Sequence, residues 1–199
     1  MTSARLRLSD VACLRGGRLL FRGVSMDLAP GGTALLAGPN GVGKSTLLRL
    51  CAGLLRPYAG TVAAEGRVAL ADDRLALDAD RPLRDALGFW AALDGADAAA
   101  VAASLDAMAL ASLAHVPVRM LSTGQRKRAT LARVIASDAP IWLLDEPGNG
   151  LDAASLDLLG AAIARHLAAG GILLAASHQP LPLATPVTLW LADYQATAA

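Results

Sequence analysis

The fold of this chain is decided by residues 33–45, which read Thr33-Ala34-Leu35-Leu36-Ala37-Gly38-Pro39-Asn40-Gly41-Val42-Gly43-Lys44-Ser45. The apolar run before Gly38 is typical of a strand buried on both faces of a parallel sheet. From Lys44 to Leu54 apolar residues recur at helical spacing, which predicts a helix directly after the loop. A strand, a glycine-rich loop and a helix in this order form the framework of a phosphate site, which a chance glycine-rich turn would lack.

The loop matches the pattern G-x-x-x-x-G-K-[ST] at every fixed position. Its glycines let backbone N–H groups converge on a phosphate, and the helix presents its positive N-terminal end to the anion. Lys44 supplies a charge for the β- and γ-phosphates, and the Ser45 hydroxyl is placed to ligate Mg²⁺. We therefore predict an ATP site made of Gly38, Pro39, Asn40, Gly41, Val42, Gly43, Lys44, Ser45 and Thr46.

A second acidic strand end follows much later in the chain. Residues 141–144 are apolar and are followed by Asp145 and Glu146. In a parallel sheet the carboxyl end of a strand opens into the ligand crevice. Asp145 is predicted to hold Mg²⁺, and Glu146, pointing elsewhere, to activate the attacking water as general base. Taken alone the pair could begin a solvated turn before Pro147, but together with the phosphate loop it predicts an ATPase.

The remaining elements indicate an α/β domain. Residues 5–28 alternate in hydropathy around Gly16-Gly17, as in an antiparallel hairpin. The alanine-rich residues 80–115 have helical periodicity and predict a helical subdomain. Residues 153–169 predict a long helix and residues 172–176 a further core strand. At 199 residues the chain is predicted to form one domain, 1–199.

Composition limits the classes of partner. The net charge is +1, from 18 basic and 17 acidic residues, and aromatic residues are only 4%, so nucleic acid is not an expected partner. Hydrophobic residues reach 54% and the mean hydropathy is +0.44. The longest stretch free of Asp, Glu, Lys and Arg, residues 166–192, contains several glycines and prolines, so a continuous membrane helix is not expected there.

The N-terminal residues and the cysteines suggest the compartment. Residues 1–30 lack the sustained apolar core of a secretory signal, which predicts a place on the cytoplasmic side. Cys13 and Cys51 lie far apart in no metal-ligand spacing. They are expected to be reduced thiols.

The class of ATPase is indicated by Leu121-Ser122-Thr123-Gly124-Gln125, which resembles the LSGGQ signature of the ABC ATPase family with Thr123 in place of the first glycine. The resemblance implies a P-loop NTPase core of the ABC type, with an antiparallel β subdomain and a small helical signature subdomain over about residues 80–135. In that family the signature contacts the γ-phosphate of ATP held by the opposite subunit. The implied partner is therefore a second copy of this chain, in a dimer that encloses two ATP molecules.

Two further segments follow in the order that the resemblance requires. Gly150-Leu151-Asp152 looks like the D-loop, which lines the subunit interface. His178 follows the strand at residues 172–176, where the family has a switch histidine at the γ-phosphate. A lone histidine is more often structural, but this order favours the catalytic role. The resemblance thus implies a catalytic set of Lys44, Glu146 and His178.

The chain departs from the family at two places. Arg15 stands where the family usually has the aromatic residue that stacks on adenine, so a guanidinium plane is predicted there. The family's Q-loop glutamine is missing, because no glutamine lies between Gly66 and Arg84. Asp72 or Asp73 stands at that place, and we expect Asp73 as a further candidate for the metal.

Residues 170–181, which end in a His-Gln-Pro-Leu sequence, are similar to the ATP-binding subunit of the cytochrome c maturation system, the heme exporter (CcmA) family. This resemblance implies integral membrane permease partners, a peripheral place on the cytoplasmic side of the bacterial inner membrane, and ATP hydrolysis that energises heme export. The alternatives are an ABC motor for a lipid, drug or metal cargo, and a soluble ABC ATPase acting on ribosomes or DNA. A degenerate subunit that binds ATP without turnover is disfavoured by the intact catalytic set.

Overall fold

The computed structural model describes residues 4–195. Its strands are β1 (Arg5–Arg15), β2 (Arg18–Leu28), β3 (Thr33–Ala37), β4 (Ala59–Glu65), β5 (Val68–Ala71), β6 (Ile141–Asp145), β7 (Ile172–Ala176) and β8 (Val187–Trp190). Its α-helices are α1 (Lys44–Cys51), α2 (Leu83–Leu93), α3 (Ala98–Ala107), α4 (Thr123–Ala136) and α5 (Ala153–Ala168). Short 3₁₀ turns lie at Ala111–Leu113, Val118–Met120 and Leu191–Tyr194.

The main sheet has five strands in the order β5-β6-β7-β3-β8, and each neighbouring pair is parallel. Alternate residues of β6 contact different cores, since Trp142 and Leu144 pack in one hydrophobic cluster and Ile141 and Leu143 in the other. Both faces of the sheet are therefore covered, which explains why its strands are continuous apolar runs. The carboxyl ends of β3, β6 and β7 consequently meet at one edge, where the sequence places its charged motifs.

A second sheet is antiparallel, in the order β2-β1-β4. Its hairpin turns at Gly16 and Gly17, which have φ of 56° and 76°, a conformation that glycine adopts readily. The edge strand β4 was not predicted, because its residues are mostly exposed and alanine-rich and show no clear alternation. Gly60 lets it approach β1, since a Cβ there would lie 2.3 Å from the Asp10 carbonyl oxygen.

The helical segment consists of α2, α3 and α4 with two of the 3₁₀ turns. Leu83 and Leu87 of α2 and Leu105 of α3 are fully or almost fully buried in the same cluster as β6. The mixed α/β class predicted from the sequence is confirmed. Among residues 4–195, no helix combines the length and the hydrophobicity needed to cross a bilayer.

Candidate functional site: a phosphate cleft at the ends of β3, β6 and β7

The phosphate loop ends at an open helix terminus. Gly43, the N-cap of α1, has φ of 112° and offers no side chain to cap the first turn. The unpaired N–H groups of that turn are therefore available to an anion. A Cβ at Gly43 would also lie 2.9 Å from the Phe21 ring. Space and conformation thus both require glycine at this position.

Lys44 lies under the loop, and its side chain is almost fully buried. Its ammonium nitrogen donates to the carbonyl oxygens of Gly38 at 2.8 Å and Pro39 at 3.2 Å, and it lies 2.9 Å from Nε2 of His178. An ammonium group has three N–H donors, so all three are satisfied within the chain. Lys44 must therefore exchange at least one partner when a phosphate oxygen enters.

Asp145 and Glu146 end β6 and enter the same cleft. Strand alternation predicts that neighbouring side chains point apart, but β6 ends at Asp145 and Glu146 has φ of 47°. Such a conformation is unusual for a non-glycine residue and is common at functional sites. The cleft has a volume of about 250 Å³. Its lining residues are Leu20, Asn40, Gly41, Gly43, Lys44, Ser45, Thr46, Asp145, Glu146 and His178.

His178 connects the two sides of this cleft. Its backbone N–H donates to Oε2 of Glu146 at 3.2 Å, and its Nε2 lies 3.5 Å from Oε1 of the same carboxylate. Nε2 must accept the hydrogen bond from Lys44, because an ammonium group has no acceptor. Within the predicted catalytic set, His178 thus contacts both Lys44 and Glu146.

The Asp145 carboxylate lies beside the Ser45 hydroxyl. Burial raises the pKa of Asp145 above its usual value, while a hydrogen bond from Ser45 acts in the opposite direction. Oxygen ligands of this kind are those that Mg²⁺ prefers. The two side chains therefore fit a magnesium ion bound beside the phosphates.

A second cavity, of about 420 Å³, adjoins the phosphate cleft and shares Ser45, Asp145 and Glu146 with it. Its other lining residues are Arg49, Asp73, Lys127 and Asn149, and we call it the metal-side cavity. No sequence motif marked Arg49, Lys127 or Asn149 as a site residue. Only the basic run at residues 126–128 could have indicated Lys127.

The two candidates for the missing glutamine differ in their contacts. Asp72 accepts a hydrogen bond from Arg49 at 3.3 Å and one from the backbone N–H of Arg74 at 3.1 Å. Asp73 lies 3.8 Å from Arg49, and its side chain is 85% exposed. Of the two, only Asp73 is among the residues that line the metal-side cavity, so its role as a metal ligand stays a prediction.

The signature residues lie outside this chain's phosphate cleft. Ser122 caps α4: its hydroxyl accepts from the Gln125 N–H at 3.3 Å, and the Gln125 side-chain oxygen accepts from the Ser122 N–H at 2.8 Å. This reciprocal capping box fixes the N-terminus of α4. Leu121 is buried, whereas Ser122 and Thr123 are exposed. The motif is thus formed in the chain, but at a surface rather than over this chain's phosphate cleft.

The predicted D-loop lies against the signature. The position of a Cβ on Gly124 would be 3.6 Å from the Gly150 carbonyl oxygen. Asp152 is the N-cap of α5 and accepts from the Ser155 N–H at 2.8 Å. Hydrogen bonds from Ser155 hold the pKa of Asp152 below its usual value.

Four of the predicted nucleotide ligands are not among the residues that line the cleft, namely Gly38, Pro39, Val42 and Arg15. Val42 is buried, and the carbonyl oxygens of Gly38 and Pro39 accept hydrogen bonds from Lys44. Arg15 is exposed in β1 and is not among the cleft residues, so its stacking on adenine stays a prediction. Leu20 of β2 lines the cleft instead, although nothing in the sequence marked it.

The chain is similar to known ATP-binding proteins of transporters. The ABC transporter family matches residues 21–149. Cytochrome c biogenesis ATP-binding export proteins from Sphingopyxis alaskensis and Zymomonas mobilis are 57% and 54% identical, over 89% and 98% of this chain and 92% and 88% of their own length. That of Novosphingobium aromaticivorans is 52% identical, over 98% of this chain and its entire length.

Solved structures show the same fold. An ABC transporter ATP-binding protein from Pyrococcus furiosus superposes with a TM-score of 0.84 at 23% identity, over 96% of this chain and 100% of its own. An ATP-binding cassette in its ADP conformation gives 0.73 at 20% identity, over 89% and 82%. These findings confirm the ABC-type core and imply a nucleotide-binding subunit that dimerises and works with a membrane permease. The chain belongs to the ABC transporter family of ATPases and, within it, to the cytochrome c biogenesis ATP-binding export proteins.

Proposed function

We propose that this chain is the ATP-hydrolysing subunit of an exporter that handles heme for c-type cytochrome biogenesis. Support for this cargo comes from the relatives at 52–57% identity, which cover about nine tenths or more of this chain. The complex would lie at the bacterial inner membrane with this subunit on the cytoplasmic side. Its permease subunits and a second copy of the chain would be its partners.

One observation carries the proposed reaction: Lys44, Asp145, Glu146 and His178 line a single cleft next to an uncapped helix N-terminus. The α1 N–H groups and Lys44 bind phosphate oxygens and stabilise the charge that develops on the transferred group. Glu146 accepts a proton from the attacking water as general base. His178 moves from Lys44 to the γ-phosphate.

A magnesium ion, when bound, would supply positive charge that offsets the negative charge of the phosphates. Ser45 and Asp145 would hold it, since both side chains line the phosphate cleft and the metal-side cavity. Asp73 is a further candidate ligand from the second cavity. The mixture of one hydroxyl and two carboxylates suits a hard divalent cation.

The exposed signature supports the dimer. The Ser122 oxygen accepts one hydrogen bond within its capping box, and a hydroxyl still has its own proton to donate. Gly124 leaves space for a second chain's phosphate to approach the N-terminus of α4. In the proposed dimer, each signature completes the partner's phosphate cleft, and hydrolysis lets the two chains separate.

The permease contact is supported by α2. Phe89 and Leu93 are 53% and 65% exposed, which is high for large apolar side chains. Phe89 and Trp90 line a groove of about 400 Å³ together with residues 75–78, which follow β5. A helix of a membrane subunit would bury these side chains and gain their hydrophobic free energy.

The proposal is tested in membranes of the native host. The tagged chain should co-purify with integral membrane partners after detergent extraction, and Glu146→Gln should abolish mature c-type cytochromes on heme-stained gels. Glu146→Gln should also trap an ATP-bound dimer in size-exclusion chromatography, because the general base is lost while the phosphate contacts remain. The matched control is Arg165→Met, which removes an exposed positive charge in the last turn of α5.

Three results would contradict the proposal. Undiminished turnover in Glu146→Gln would rule out the general base. A partner unrelated to heme, with normal c-type cytochromes in the mutant, would favour another cargo. Association with ribosomes or DNA instead of membranes would favour the soluble class of ABC ATPase.

A further inference from the structure

Lys127 lies one turn into α4 and reaches the metal-side cavity. The residue is half-buried, and its neighbours in the cavity include Asp73, Asp145 and Glu146. A lysine on a helix surface normally extends into water. Here the same helix that carries the signature sends a positive charge toward the metal-binding carboxylates of its own chain.

Two effects act in opposite directions on the pKa of Lys127. Burial lowers the pKa of Lys127, while the carboxylates of Asp145, Glu146, Asp73 and Asp72 favour its charged form in that order. None of the ion pairs within residues 4–195 involves Lys127. Its ammonium group thus acts on the cavity as a whole rather than on one partner.

The charges of the cavity indicate what this lysine opposes. Arg49 lies 3.3 Å from Asp72 and 3.8 Å from Asp73, so these two carboxylates share its charge. Lys127 is the other cation that lines the cavity beside Asp145 and Glu146. A divalent cation bound by Asp145 would be attracted by the carboxylates and repelled by the ammonium group across a cavity of about 420 Å³.

We propose that Lys127 is a positioning residue that sets the affinity of the metal-side cavity for a divalent cation. It balances the carboxylates while the cavity holds no metal, and it is displaced when the metal arrives. This inference rests on the proposed function in one respect, that the metal serves ATP hydrolysis.

The test is a titration of the nucleotide-free full-length chain with Mn²⁺, followed by water proton relaxation. Lys127→Met keeps the length of the side chain and removes its charge. We expect Mn²⁺ to bind about three- to tenfold more tightly, from the loss of one repulsive charge at an effective dielectric constant between those of protein and water. The gain should shrink as the salt concentration rises.

The direction of the change separates this role from a structural one, because a damaged cavity would bind the metal more weakly. Lys127→Arg should bind Mn²⁺ within about twofold of wild type, since it keeps the charge. Arg165→Met removes the same charge at the opposite edge of the sheet and should change nothing. Asp145→Ala in the Lys127→Met background should abolish the added affinity if the metal lies where we place it.

Equal or weaker Mn²⁺ binding in Lys127→Met overturns the inference, as does a lack of measurable binding to both chains. A shift of the Mg²⁺ concentration at half-maximal ATPase activity to lower values is the second expected result. An inactive wild-type chain would contradict the proposed function, yet the Mn²⁺ titration would still decide the role of Lys127.

Discussion

Two helices of this chain have N-termini for which we propose a phosphate contact, and they begin in opposite ways. α1 begins at Gly43 with no capping side chain, whereas α4 begins with a complete capping box of Ser122 and Gln125. An uncapped terminus leaves its N–H donors without side-chain partners until an anion arrives, while a capping box satisfies two of the donors within the chain. The first terminus is thus dependent on ligand, and the second is preformed as a surface for another molecule.

The residues around the N-termini of α1 and α4 also differ. Next to α1, Lys44 is buried and bonded to its own loop and to His178. Next to α4, exposed Ser122 and Thr123 have no such counterpart in the chain's own cleft. The difference teaches that folding alone assembles the phosphate cleft of this chain, whereas the signature, in the proposed dimer, would act on the cleft of a second chain.

The largest effect on ATP turnover is expected when the positive charge of Lys44, below the phosphate loop, is removed. Lys44→Ala should reduce ATP turnover by at least about 10²-fold, because a buried cation next to the transferred phosphate is removed. Phosphate release at saturating MgATP measures this. Turnover within a factor of three of wild type would mean that α1 alone suffices, while Arg165→Met should behave as wild type.

A substitution in the signature at the N-terminus of α4 should reduce ATP turnover by a similar factor, but for a different reason. Ser122→Arg should reduce turnover by roughly 10²-fold but leave the binding of a fluorescent ATP analogue nearly unchanged, since Ser122 is not part of this chain's cleft. Mixing this variant with Lys44→Ala should restore part of the activity, because each mixed dimer has one intact composite site. If mixed dimers form but ATPase activity does not recover, the signature does not complete the phosphate cleft of the partner chain.

Gly43→Ala tests the dependence of α1 on its left-handed N-cap. The new Cβ would meet the Phe21 ring at 2.9 Å in a backbone with φ of 112°, so we expect a loss of about 1–3 kcal/mol in the free energy of unfolding. Urea denaturation measures it. At Gly17 φ is 76°, but an added Cβ would have no heavy atom within 4 Å. Gly17→Ala therefore tests backbone strain alone and should lower the free energy of unfolding by less.

The smallest expected effect is that of the α4 cap. Ser122→Ala should lower the free energy of unfolding by about 1 kcal/mol, since one hydrogen bond of the capping box is lost. The same urea experiment measures it, and Ser122→Asp should retain most of the stability because it also caps. A loss several times larger would mean that the signature supports the helical segment as a whole.

The sequence predicted the bounds of the core elements closely because each one is buried. β3 and β7 lie at the predicted residues, and α5 ends at Ala168, one residue before the predicted end. β4 escaped prediction because an exposed edge strand of small residues has no hydrophobic period. Leu20 and Arg49 also escaped, because no local pattern marks a residue that reaches a site from a neighbouring element.

The sequence by itself determined the phosphate loop, the acidic strand end and the order of the family's segments, since each depends on a few consecutive residues with fixed backbone geometry. Only the tertiary structure decided that Glu146 enters the same cleft as Asp145, that Asp72 is taken by Arg49, and that Lys127 faces the metal side. These facts depend on which strand ends and helix faces meet across long separations in the chain. Contacts of that kind are set by packing, which local spacing does not encode.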